Sequence, residues 1–199
     1  MKKRAIYFVI LILTASVTAV TTHAQRATFR GTAVIYGSGL STRTVTRPFT
    51  MTVNSRTSEA DTTRYLRTLE RGGQDALLRE IESNNLGRFA LTGSVGVPLS
   101  AVVVDRVEGE TRLRAVFRRW IGFGELRRGY RSVDYPFGYV EIHFDPRTGR
   151  GEGTIIPAAR IRFRNSRDGG PDTVEIEDFG TFPGRLLGVR VRGAGSQLF

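Results

Sequence analysis

A chain of 199 residues with no cysteine, two histidines and 30 lysines and arginines against 19 acids excludes several chemistries at once. Disulfides, thiol nucleophiles and cysteine-ligated zinc are ruled out, and a Ser-His-Asp triad has almost no histidine to draw on. The formal net charge is +11, and the +8 that remains without Lys2, Lys3 and Arg4 (27 arginines against 19 acids) favours acidic partners such as phosphate-bearing glycans, lipid head groups or acidic protein surfaces.

Residues 1 to 24 read as a secretory signal peptide. Lys2, Lys3 and Arg4 form a basic head, Ala5 to Val20 run almost without polarity, and Thr22-His23-Ala24 supplies a small-residue cleavage site before Gln25. The apolar run is shorter than the about 20 residues that a bilayer span needs. Without cysteine there is no lipid anchor at the cleavage site. Cleavage would leave one exported domain, 25 to 199, in the periplasm or outside the cell. That product would hold 27 arginines, no lysine and a single histidine, His143. Schiff-base catalysis and a P-loop grip on phosphate are therefore excluded from it. No cofactor and no nucleic acid are expected, since no glycine-rich nucleotide motif, zinc finger or RNP-like motif is present.

Thr28 to Tyr36 is β-like, with Phe29, Ala33 and Ile35 on one face, and Gly37-Ser38-Gly39 ends it. Phe49, Met51 and Val53 alternate with threonines in a second strand. A helical region follows, N-capped by Thr57 or Ser58, with Glu59 and Asp61 in its first turn. Its apolar stripe of Tyr65, Leu66 and Leu69 is interrupted at Gly72-Gly73 and restarts with Leu77, Leu78 and Ile81. Asn84-Asn85 fits its C-terminal end.

The remainder reads as strands. Ala101 to Val107 and Thr111 to Trp120 form a hairpin about Glu108-Gly109, setting Val102 opposite Ala115, Val104 opposite Leu113 and Asp105 opposite Arg112. Tyr139 to Asp145 leads through a glycine-rich turn into a strand ending near Arg164. Thr173 to Glu177 then sets Arg162 near Glu175 and Arg160 near Glu177, and Leu187, Val189 and Val191 form the last strand with Arg190 and Arg192 outward. The fold class is α+β: a mostly antiparallel, strongly curved or barrel-like sheet with one broken helical segment packed on it. Phe199 is a terminal aromatic, but Gly193 to Ser196 breaks the alternation that a membrane barrel's closing strand requires.

The densest unusual stretch is Trp120 to Tyr139, which joins the single tryptophan to arginines and tyrosines. Aromatic faces beside guanidinium groups suit sugar rings and anions. Trp120, Arg127, Arg128, Tyr130, Arg131 and Tyr135 are the candidate binding residues for an anionic glycan, lipid head group or acidic protein. A rival reading is a carboxylate-dependent hydrolase of envelope glycan or ester, using Asp134, Asp178 and Glu125 with His143 as base. A structural subunit of an envelope complex fits the same sequence. Tyr139, Glu141, His143 and Asp145 share one strand face, whereas Asp178 falls on the apolar side of its strand and needs a partner or a turn to anchor it.

Overall fold

A computed structural model describes residues 26–36, 44–119, 131–164, 173–180 and 182–193, with the side chains of Arg131 and Ser132 excepted. Residues 1–25 with the expected signal peptide, Gly37 to Gly39, the expected loop at 165–172 and the residues after Gly193 lie outside the described residues.

The strands are β1 (Ala27–Ile35), β2 (Val45–Val53), β3 (Gly87–Leu91), β4 (Val97–Pro98), β5 (Ala101–Val107), β6 (Glu110–Arg118), β7 (Phe137–Asp145), β8 (Arg150–Arg164), β9 (Thr173–Asp178) and β10 (Gly184–Arg192), with one helix, α1 (Glu59–Ile81). They form one antiparallel sheet in the order β4-β3-β2-β1-β10-β8-β7-β6-β5, with β9 added to the far half of β8. The sheet curls into a half-barrel. Its two end strands, β4 and β5, are joined by Leu99-Ser100, whose amides donate to Gly87 O and Val116 O on the two sides.

Period-two alternation explains the filling of the curl. Phe29, Phe49, Met51, Val53, Val102, Leu113, Val140, Ile142, Phe144 and Leu186 face inward and are at most 2% exposed. Aromatic contacts knit the strands together: Phe29 meets Phe144 edge-on at 5.7 Å, and Phe89 stacks on Phe49 at 5.6 Å and on Phe117 at 5.9 Å. The interior is therefore a packed core.

Helix α1 covers part of the outer face. Ser58 caps it, its Oγ accepting from Asp61 N at 3.0 Å. The break falls at Gly73, whose φ of +68° and ψ of −170° only glycine adopts readily. Leu69, Leu77 and Ile81 pack on Phe137, Tyr139, Ile156, Ala159 and Ile161 in a second core. Leu66, expected in that stripe, is 38% exposed. Asn84 does not cap the helix. Its side-chain amide donates instead to Tyr65 Oη and Ser100 O, tying the helix end to the sheet.

The β5–β6 hairpin has the expected register, with Val102 opposite Ala115, Val104 opposite Leu113 and Asp105 opposite Arg112. Its two-residue turn places both Glu108 (φ +52°) and Gly109 (φ +86°) in the left-handed region, as a type I′ turn requires. In β10 the outcome differs from simple alternation. A bulge at Gly188 (φ +60°) shifts the phase, so Leu186 is buried and Leu187 is 37% exposed, while Arg190 and Arg192 remain outward.

Candidate functional site

Of the six aromatic and arginine candidates, Trp120, Arg127, Arg128 and Tyr130 lie outside the described residues, as does Glu125. Arg131 begins a short 3-10 turn over Arg131–Asp134, and only its backbone is described. Tyr135 is 4% exposed. Its hydroxyl donates to Glu177 at 2.5 Å, the Arg160 guanidinium lies 4.8 Å over its ring, and Phe179 meets it edge-on. Tyr135 thus fastens the 3-10 turn to β8 and β9.

Asp134, Asp178 and His143 sit in three separate settings. Asp134 pairs with Arg160 at 3.2 Å on an exposed rim. Asp178 stands on the opposite face of β9 from Glu177, the residue that meets Tyr135, because successive strand side chains alternate. His143 lies six residues along β7 from Phe137, which is opposite the same Ala159 that faces Asp178. At about 3.3 Å per residue, that is about 20 Å away.

His143 belongs to a polar network on the outer face of β5, β6 and β7. Its Nε2 lies 2.8 Å from Glu141, which also accepts a short hydrogen bond from the Tyr139 hydroxyl. Arg112, opposite His143, makes a close two-pronged contact with Asp105, and Arg114 approaches the same carboxylate at 3.5 Å. The Arg112 hydrogen bonds hold Asp105 below its usual carboxylate range. Burial pushes Glu141 upward, but the bonds from Tyr139 and His143 outweigh it and leave the carboxyl lowered. Burial and the Glu141 contact raise the Tyr139 hydroxyl. Each acid here already has a cationic or donor partner.

The charge ladder between β8 and β9 has the expected register, Arg160 opposite Glu177 and Arg162 opposite Glu175. Its ion pairs slip one step diagonally. Arg162 reaches Glu177 at 3.2 Å and Arg164 reaches Glu175 at 2.8 Å, which frees Arg160 for Asp134 and the Tyr135 ring.

The other half of the sheet is different. On its outer face Arg30 of β1 stands directly opposite Arg190 of β10, and Arg190 stands opposite Arg150 of β8. All three are exposed, and none has an ion pair among the described residues. The row ends at Asp145, opposite Arg150, whose carboxylate is taken by the turn it anchors through Arg147 N at 2.8 Å. Two residues along β10, Arg192 faces Thr28, which pairs in turn with Thr52, and Thr52 with Arg88. Neighbouring strands lie about 4.8 Å apart, so the three arginine Cα atoms span about 10 Å. Like charges set directly opposite each other destabilise a sheet unless an anion lies between them. Alternation along the sequence places Arg190 and Arg192 outward but does not reveal this row. Its members are remote in sequence, and only the β1–β10–β8 register brings them together.

Searches against protein-family models, curated proteins and solved structures return no match for this chain.

Proposed function

We propose that the protein is an exported, non-enzymatic domain that binds a phosphate-bearing glycan of the cell envelope through the arginine row Arg30–Arg190–Arg150. One observation carries this reading: three exposed guanidinium groups face one another across three strands, and none of them has an ion pair among the described residues. Guanidinium is the side chain best suited to forked hydrogen bonding of phosphate oxygens. Thr28, Thr50 and Thr52 add hydroxyl groups to the same face, which suits a polar polymer better than an acyl chain. The packed interior favours binding at the surface over carriage of a lipid inside the curl. The segment from Trp120 to Arg131 is a second proposed contact region, resting on its composition.

The test is calorimetric titration with a purified phosphate-bearing envelope glycan and with the same glycan after dephosphorylation. Binding should weaken steeply as salt rises, because neutralised phosphates release their counterions, and should disappear on dephosphorylation. Equal binding of the dephosphorylated glycan would refute the reading. Binding to anionic vesicles in place of the glycan would move the partner to a lipid surface. Trp120 emission, followed in the same titration, reports on the 120–131 segment.

A further inference from the structure

At the opposite end of β1 and β10 from the arginine row, the strand ends enclose a small cavity of about 110 Å³. Its lining includes Tyr36 after β1, Pro157 at the β8 bulge, Asp178 at the end of β9, and Phe182. Phe182 is 68% exposed and Tyr36 39%, so two aromatic rings are presented to solvent beside a carboxyl group.

Asp178 is unusual among the acids of this arginine-rich chain. Its Oδ1 accepts from Gly180 N at 2.8 Å, forming the turn that ends β9. Its Oδ2 is buried and has no hydrogen-bond partner. Among the described residues no arginine pairs with it, and the three on the adjoining β8 are committed elsewhere: Arg160 to Asp134, Arg162 to Glu177 and Arg164 to Glu175. A buried acceptor left unpaired is destabilising, a cost that a bound donor removes.

We propose that this cavity binds a primary ammonium group carried on a small stem, as in an amino sugar or a lysine side chain. Three features select that chemistry. Only one carboxylate oxygen is free, which suits the point charge of an ammonium better than the two-pronged fork of a guanidinium. The cavity is small. Exposed aromatic rings attract a cation through their faces. Burial also raises the Asp178 carboxyl, with the Gly180 N–H opposing it, as expected for a carboxylate that lacks its counter-charge. The site shares no residue with the arginine row and stands or falls independently of it.

The experiment follows the Gly180 amide by ¹H–¹⁵N NMR in the whole protein at neutral pH. Glucosamine is titrated against glucose, and Nα-acetyl-lysinamide against Nα-acetyl-norleucinamide, so each pair differs in its ammonium group. Saturable shifts with an ammonium probe and none with its neutral counterpart are expected, and the tighter of the two probes identifies the stem. Asp178→Asn keeps an acceptor for Gly180 N–H and should weaken binding at least tenfold. Phe182→Ala, at an exposed position, should weaken it several-fold. The proposal is overturned if neither ammonium probe saturates, if a neutral counterpart shifts Gly180 equally, or if both variants bind like the parent.

Discussion

The two halves of this sheet handle the same residue, arginine, in opposite ways. From β5 to β9 almost every outward arginine has an acid: Arg112 and Arg114 share Asp105, Arg160 takes Asp134, and Arg162 and Arg164 take Glu177 and Glu175. Across β1, β10 and the start of β8, arginine faces arginine. Both halves belong to one antiparallel sheet and share one inner core. Strand pairing alone therefore does not require the unbalanced row, and its cost to stability is what the proposed glycan contact would offset.

The largest effect should fall on what the halves share. Phe89 of β3 stacks between Phe49 and Phe117, linking one side of the curl to the other. Phe89→Ala should cost about 3–5 kcal/mol in denaturant unfolding, and a loss below about 1 kcal/mol would mean that the two sides do not share a core. Next comes the paired half. Asp105→Ala strands Arg112 and Arg114 together and should cost about 1–3 kcal/mol at neutral pH while leaving glycan affinity unchanged.

The two aspartates should also show opposite pH dependence. Asp105 is held below its ordinary value of 3.8, so its contribution is present above that pH and fades as pH falls below it. Asp178 is raised above 3.8, so its carboxyl is tolerated when protonated and becomes a burden as pH rises through its folded value. Asp178→Asn should therefore raise stability at pH 7 by about 1 kcal/mol and lose that advantage below pH 3.8, as thermal unfolding across pH would reveal. The smallest effect belongs to the row itself. Arg190→Gln removes two like-charge contacts and should stabilise the protein by a few tenths to about 1 kcal/mol at low salt, the gain shrinking as salt is added.

Much of the architecture was legible because it is local. The alternation in Phe49-Met51-Val53, the Glu108-Gly109 turn and the Ser58 cap each carry their instructions within a few residues. The inner core and the β5–β6 register followed from those signals. What escaped depended on geometry between distant segments or on a single backbone angle. Gly188 reverses the phase of β10, exchanging Leu186 and Leu187, and nothing in the spacing marks that glycine as a bulge. Leu66 looked apolar at the right spacing, but the helix turns it to solvent. The diagonal slip from Arg162–Glu175 to Arg162–Glu177 reflects the reach of long side chains, which register does not fix. The cavity at Asp178 likewise needs the ends of β1 and β9, the start of β10 and the bulge of β8 to meet, although the carboxylate on an apolar strand face already signals an unusual setting.

The contrast between the halves can be tested by removing equal charge from each. The variant Arg30→Gln/Arg150→Gln/Arg190→Gln and the variant Arg160→Gln/Arg162→Gln/Arg164→Gln each lose three positive charges, so any effect of net charge is the same in both. Their affinities for one phosphate-bearing glycan should be measured side by side at about 0.15 M salt. A specific surface predicts at least a tenfold loss for the first variant and less than a twofold change for the second. Equal losses would mean that the glycan answers to overall charge, and that the unpaired row has no special part in binding.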